Sequence, residues 1–197
     1  MKKKNPFFSL IESFKILPGV GEKTAMRYAV HLMKEREEKV MKLAKDIIEI
    51  KEKLKLCDEC GFIKSDNICP LCSDEKRDNI LCIVEDIPSV IAIEKAGIYK
   101  GHYHILHGVI SIEKDEEVMK RIKTLLERVK SKKFKEIIVA TNPTVEGDAT
   151  AFYIKEKIRE ISDIKLLKIT SGIPVGGSID MMDEMTITQS FKHRLEF

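Results

Sequence analysis

The chain has 197 residues, of which 43% are hydrophobic and 34% charged, a composition ordinary for a soluble globular protein with a buried core in one large or two small domains. No stretch reaches the length of a membrane span. The opening MKKKNPFFSLIESFKIL is interrupted by Glu12 and Lys15 and has no small-residue cleavage site after it, so no secretory leader is expected and the protein is placed in the cytoplasm. The net charge of +3 is unevenly spread: residues 1–56 carry 14 basic and 8 acidic side chains, the remaining 141 carry 21 and 24. A basic amino-terminal third suits a phosphate-bearing partner, although solvated helix faces would give the same balance.

Residues 6–17, PFFSLIESFKIL, read as a short helix opened by a proline, with Phe7, Leu10, Ile11 and Phe14 on one side. LPGVG at 17–21 then forces a tight turn. A second helix is predicted from Glu22, with Ala25, Tyr28, Ala29 and Leu32 as its inner face. A third covers 37–56, where Val40, Leu43, Ile47, Ile50 and Leu54 form a narrow helical seam. Packing within its own domain explains that seam most simply; a contact between subunits is the other reading. After a cysteine-rich segment the pattern changes to strand-helix alternation. Strands are predicted at 79–84, 103–106, 136–141 and 164–170, with helices at 88–97, 115–132 and 146–161 between them. Wholly apolar strands in that alternation make a parallel sheet covered on both faces. Right-handed crossovers gather the strand-to-helix loops at one edge, so Glu85 and the 141–148 loop share the carboxyl edge. No internal repeat or low-complexity stretch interrupts the chain.

Four stretches carry chemistry. In LPGVGEKTAMR, a Pro-Gly-apolar-Gly turn joins two helices as a helix-hairpin-helix. Gly19 and Gly21 let backbone approach a phosphate, and Lys23 and Arg27 stand one helical turn apart to reach the same strand. Only Val20 separates the glycines, so this is not a P-loop. Nothing is placed to read base edges, and binding to DNA without regard to sequence is expected. In CDECGFIKSDNICPLC, Cys57, Cys60, Cys69 and Cys72 have the spacing of two knuckles around a structural Zn²⁺ with no open position; paired disulfides are the competing reading, disfavoured in a reducing compartment. Cys82, inside an apolar strand, reads as a buried inert thiol. His102 and His104 share a strand face while His107 points away, which argues against a three-histidine metal site and for a structural or phosphate-contacting role. Finally, Glu85, Asp86, Glu146 and Asp148 could hold Mg²⁺ at the carboxyl edge, but neutral Asn142 and Thr144 stand where an Asp-x-Asp pair would do the chemistry, so only weak Mg²⁺ binding is expected.

Together, LPGVGEKTAMRYAVHL, the four-cysteine segment, LCIVED, GIYKGHYHILHG, ATNPTVEGDATAFYI and GIPVGGSID resemble the RecR family of bacterial recombinational DNA-repair proteins over nearly the whole chain. The 140–151 loop alone is also similar to type IA topoisomerases, whose Toprim domains carry two aspartates and a following glutamate; Asn142 and Thr144 replace the aspartates and Glu146 matches the glutamate. The resemblance implies an α/β chain in four parts: a helix-hairpin-helix DNA-binding domain (1–56), a four-cysteine zinc finger (57–72), a Toprim-type parallel α/β domain (79–170) and a C-terminal Walker B-related oligomerisation arm (171–197). It further implies no catalysis, assembly into a homo-oligomeric, tetrameric ring that encircles DNA, and work with RecO and RecF to load RecA. Lys23 and Arg27 fall on the family's DNA-contacting positions, and Glu146 on its partner-contacting loop. His107 stands where the family usually has a second glycine, SIEKDEE replaces a longer loop, and Ser171 sits where a basic residue is common. The alternative function is a Mg²⁺-dependent nuclease or topoisomerase-like enzyme using Glu85, Glu146 and Asp148. A nucleotide-binding protein ranks below both, for want of a Walker A motif.

Overall fold

Asn5 starts the first helix: its side-chain oxygen accepts from the Phe7 N–H at 2.9 Å, and Pro6 occupies the first helical position, where its missing N–H costs nothing. The structure, a computed structural model, describes residues 5–111, 116–169, 172–194 and 196. The expected helix start at Asp115, strand end at Thr170, and Ser171 lie outside the described residues, as does most of the SIEKDEE loop. The chain divides into two compact units, Met1–Leu54 and Lys55–Phe197.

In the first unit α1 (Pro6–Phe14) and α2 (Glu22–Lys34) close over buried Ile11, Ala25 and Ala29, with Phe7, Leu10, Phe14 and Val20 around them. The inner face of α2 is narrower than its periodicity predicts, because Tyr28 remains exposed, edging against Phe14 with ring centroids 5.8 Å apart and lying 5.8 Å from the Arg27 guanidinium. Helix α3 (Glu37–Lys53) buries nothing. Leu43, Ile47 and Ile50 of the expected seam are 42%, 56% and 56% exposed. Half-buried Val40 borders an apolar cleft with Leu43, Ile47 and Phe7, Leu10, Phe14 and Ala29 of α1 and α2, so packing within the domain covers only part of the seam. The helix also stops three residues earlier than predicted. Residues 54–56 form strand β1 (Leu54–Leu56), which pairs with β2 (Ile63–Ser65), and the Cys57 N–H continues that pairing to the Phe62 carbonyl at 2.6 Å. Local helical propensity loses there to the hydrogen bonds of the cysteine knuckle.

The second unit is built on β3 (Asp78–Val84), β4 (Gly101–Ile105), β5 (Glu136–Ala140) and β6 (Lys165–Lys168), all parallel in the order β4-β3-β5-β6. Chain order runs from β3 outward to β4 through α4 (Ile87–Ala96). It then crosses back to β5 and β6 through α5 (Glu116–Ser131) and α6 (Val145–Arg159). Right-handed crossovers in opposite directions put α4 on one face and α5 and α6 on the other, and make the β3–β5 junction a topological switch point. One core joins Leu81, Ile83, Ile137 and Val139 to Val118, Ile122, Leu125, Ile154 and Ile158 of α5 and α6. Against the other face, Cys82, Val84, Tyr103 and Ile105 meet Val90 of α4, but α4 alone does not cover them: Cys57, Cys60, Cys69 and Leu71 complete that core. The cysteine segment is thus a structural layer of the sheet. Each fully buried aliphatic side chain here is worth about 1.5–3 kcal/mol.

Register then fixes the edge. Val84 lies level with Ile105 on one side and Ala140 on the other, so Glu85, Leu106 and Thr141 leave the sheet together. Beyond β6, α7 (Glu184–Lys192) is capped by Asp183, which accepts from the Thr186 N–H at 2.9 Å, and it too buries nothing.

Candidate nucleic-acid interface, metal centre and carboxyl edge

The turn between α1 and α2 begins where α1 tightens: the Ile16 and Leu17 N–H groups donate three residues back, to Ser13 and Phe14, at 3.3 and 3.1 Å. Val20 then donates to the Leu17 carbonyl at 3.1 Å, and Gly19 takes the left-handed position of that turn at φ +74°. Gly21 is different. Its φ of −81° suits any residue, and a Cβ there would meet nothing within 4 Å. Among the described residues no contact asks for glycine at 21, and its bare backbone is left open. Gly21 is also the N-cap of α2 and supplies no side-chain cap, so the first-turn N–H groups remain available, with Lys23 and Arg27 exposed on the same helix. Open amides, a positive helix end and two cations, with Glu22 as the one acid of that first turn, are the chemistry that meeting an anion requires.

The four thiols converge. All four sulfur atoms lie within 4.8 Å of one another, with Cys57–Cys72 at 3.9 Å and Cys60–Cys69 at 3.5 Å. These separations are far beyond a disulfide bond of about 2.05 Å, and all five cysteines are free. A tetrahedron with metal–sulfur bonds of about 2.3 Å has edges of about 3.8 Å, which the cluster matches. Left to themselves the thiols cannot all ionise. Hydrogen bonding with Cys60 holds Cys72 at about 6, the same contact drives Cys60 far up, and burial raises Cys69. A bound cation removes that conflict, because each thiolate then faces positive charge.

The cluster is fastened to the sheet by residues that sequence reasoning missed. Arg121, 9% exposed, donates from Nε to the Ile105 carbonyl at 2.9 Å, and from Nη1 and Nη2 to Asp58 and Glu59 carbonyls at 3.0 and 3.3 Å. Arg128, 4% exposed, pairs with the Glu59 carboxylate at 2.9 Å and donates to the Tyr103 carbonyl at 2.5 Å. The Ile105 N–H donates to the Cys60 carbonyl at 2.8 Å, and His107 Nε2 to Gly61 O at 2.9 Å. His107 holds φ +61°, a backbone conformation costly for a residue with a side chain, and its hydrogen bond to the knuckle offsets that cost. A signal was present: Arg121 and Arg128 interleave with Val118, Ile122, Leu125 and Val129 on the buried stripe of α5, where cations need partners. His104 is fully buried, its Nε2 donating to the Arg121 carbonyl at 3.0 Å. His102 packs beside Phe134, centroids 6.2 Å apart.

At the carboxyl edge the structure brings Glu85 and Asn142 together. The Asn142 N–H donates to Glu85 Oε1 at 2.7 Å and its side-chain Nδ2 to Oε2 at 2.6 Å. Thr144 caps α6, accepting from the Gly147 N–H at 3.0 Å. Gly147 permits the close approach, since a Cβ there would collide with the Asn142 carbonyl and come within 2.9 Å of Glu85 Oε1. The other acids do local work. Asp86 caps α4, accepting from the Ser89 N–H at 2.8 Å and its hydroxyl at 2.6 Å. Asp148 pairs with Lys168 at 2.6 Å, and Glu146 lies exposed in the first turn of α6. The segment after β4 crosses above: Leu106 N–H donates to Val84 O at 2.9 Å, Gly108 N–H to Glu85 O at 3.1 Å, and Ile110 N–H to Thr150 Oγ1 at 2.8 Å. Glu85 is left 9% exposed. Among the described residues, only the four cysteines bring three or more His, Cys, Asp or Glu ligand atoms together.

A hairpin that offers open amides and cations, a closed thiol cluster, and a parallel sheet whose acidic edge is satisfied by an asparagine define a Toprim protein of nucleic-acid metabolism. The family models agree: residues 79–170 match the Toprim domain, 8–51 the RecR helix-hairpin-helix and 172–194 the RecR C-terminal segment. Proteins named recombination protein RecR from Staphylococcus haemolyticus (strain JCSC1435), Staphylococcus aureus (strain JH9) and Staphylococcus saprophyticus are 40% identical over 195 residues, 97% of this chain and 97% of each relative. The chain belongs to the RecR family of recombination proteins. No described helix is long and apolar enough to cross a membrane.

Proposed function

We propose that this chain is a non-enzymatic recombination mediator of the cytoplasm. It binds DNA without regard to sequence through Gly19, Gly21, Lys23 and Arg27, and it closes around DNA as a homo-oligomeric, tetrameric ring. With RecO and RecF it promotes replacement of single-strand-binding protein by RecA at gaps. Cys57, Cys60, Cys69 and Cys72 hold a structural Zn²⁺ that keeps the knuckles folded against the sheet. The carboxyl edge, with Glu85, Asp86, Asn142, Glu146 and Asp148, serves as a partner-contacting surface.

The observation that carries the non-enzymatic reading is the Glu85 carboxylate closed by both N–H donors of Asn142. A Mg²⁺-dependent phosphoryl-transfer site needs that carboxylate facing a cation beside further carboxylates. Here the oxygens are occupied and the remaining acids are engaged elsewhere or exposed.

The test is a Mg²⁺ and Mn²⁺ titration of the purified protein on labelled single-stranded, gapped and supercoiled DNA, with binding and strand cleavage or relaxation read in the same samples. Binding with unaltered DNA is expected at every metal concentration. Metal-dependent turnover that disappears in Glu85→Ala would overturn the reading in favour of a nuclease or topoisomerase-like enzyme.

A further inference from the structure

At the opposite, amino edge of the sheet the chain carries a second concentration of positive charge. The turn from α5 into β5 reads KSKKFK over 130–135, within a stretch of chain (57–197) in which acids outnumber bases. With the turn at 161–164 it borders an open depression of about 570 Å³, lined by Lys130, Lys132, Lys133, Lys135 and Lys165 with Asp163 as the single acid. Two of these lysines are spoken for: Lys132 pairs with Glu59 at 2.6 Å and Lys165 with Glu136 at 3.1 Å. Lys130, Lys133 and Lys135 make no ion pair among the described residues, and all three are exposed.

The turn is held in place. Phe134 is buried at 7% exposure beneath the Arg128 guanidinium, 5.7 Å from its ring centroid. The Lys135 N–H donates to the Asn79 carbonyl at 2.8 Å, and the Asn79 side-chain amide donates back to the Lys133 carbonyl. The lysines therefore project from a fixed backbone, which lowers the ordering cost of engaging a ligand. A bland account exists for part of the patch, since a cation in the last turn of a helix gains about 0.3–1 kcal/mol from the helix dipole. It covers Lys130. It does not cover Lys133 and Lys135, which lie beyond the end of α5 at Ser131.

We propose that this edge is a second contact for the phosphate backbone of nucleic acid, carried by Lys130, Lys133 and Lys135. Flexible point charges suit a repeating phosphate lattice. A protein partner would ask for an exposed apolar or aromatic anchor at the centre of the patch, where lysine is depleted. The one aromatic residue here, Phe134, is turned inward, Val129 is buried, and Ile161 and Ile164 are half-buried beneath the lysines' depression. The proposal rests on the reading that the chain binds DNA.

The experiment measures DNA affinity against salt for the wild type, for Lys130→Ala/Lys133→Ala/Lys135→Ala and for Lys23→Ala/Arg27→Ala, on single-stranded and duplex oligonucleotides. Each phosphate that a variant no longer neutralises should flatten the log–log slope by about 0.7 on single strands and about 0.9 on duplex. The triple variant should therefore flatten it by about 2 or more, with unchanged melting, and Lys133→Glu alone should weaken binding further than Lys133→Ala. A triple variant with the wild-type slope overturns the proposal. So does poly-glutamate that competes as well as an oligonucleotide of equal charge, which would point to an acidic protein instead. Failure of the wild type to bind DNA at all is a different result, and it would overturn the mediator reading itself.

Discussion

Asn142 grips the Glu85 carboxylate from both sides, backbone N–H on one oxygen at 2.7 Å and side-chain amide on the other at 2.6 Å. An asparagine thereby does at this edge what a divalent cation does between two carboxylates. Asn142→Asp keeps the shape and removes one donor, setting a second carboxylate against Glu85 Oε2. Two such groups at hydrogen-bond distance do not both stay ionised without a shared proton or a cation. The variant should lose about 2–3 kcal/mol in chelator and regain it with millimolar Mn²⁺, whereas the wild type should melt at the same temperature with and without metal. Thermal melts in both conditions decide it; a variant indifferent to Mn²⁺ would mean that Asn142 is not what keeps this edge free of metal.

Gly21 separates binding from folding. A methyl group at 21 meets none of the described residues, so Gly21→Ala should cost no more than about 1 kcal/mol, the difference between glycine and alanine at a helix N-cap. It should nonetheless weaken DNA binding, by obstructing the approach of phosphate to the α2 amides. Lys23→Ala/Arg27→Ala should instead flatten the salt slope by about 1.8 on duplex, the share of two phosphates. Gel-shift titrations at several salt concentrations, beside melts of the same samples, distinguish the two. Full affinity in both variants would mean that the hairpin does not touch DNA.

The cysteine cluster and the sheet should fail together. Arg121 satisfies carbonyls of Ile105, Asp58 and Glu59 at once. Arg121→Met fills a similar volume but strands those acceptors, at about 1–3 kcal/mol for each buried group left unpaired. Melting should fall and a chelator should strip zinc faster than from the wild type. Cys57→Ala/Cys60→Ala should abolish zinc binding outright, read by metal analysis of the purified protein. Wild-type zinc content in that double variant would rule the site out.

How much of this was legible beforehand follows from the range of each interaction. The parallel sheet, its helices and the thiol quartet depend on local periodicity and spacing, and those are written in short windows. The Glu85–Asn142 grip joins residues 57 positions apart, and sequence showed only that the partners of a metal site were missing, not that one of them had become a hydrogen-bond donor to the other. The Arg121 and Arg128 anchors were hidden for a similar reason: their acceptors are mostly backbone carbonyls, which carry no side-chain signature. On α3 the periodic seam was legible, but no window of sequence tells an internal seam from one that the folded chain leaves exposed.

His104 should give the fold an acid sensitivity of its own. The ring is fully buried, and burial first, then the charges of Arg121 and Arg128, hold its pKa well below the ordinary 6.5. Below pH 6.5 the unfolded chain takes up a proton that the folded chain refuses. Stability is therefore complete above that pH and declines as pH falls beneath it, by about 1.4 kcal/mol per pH unit for one such group. His102, also lowered by burial, adds in the same direction. His104→Gln offers an amide N–H toward the Arg121 carbonyl and has nothing to titrate, so its stability should stay flatter from pH 7.5 down to about pH 5, above the ordinary carboxylate range. Denaturant unfolding across that interval measures the difference. If the two profiles ran parallel, the imidazole would be taking up its proton equally in the folded and unfolded states, and the buried hydrogen bond to Arg121 would have to open in acid without cost.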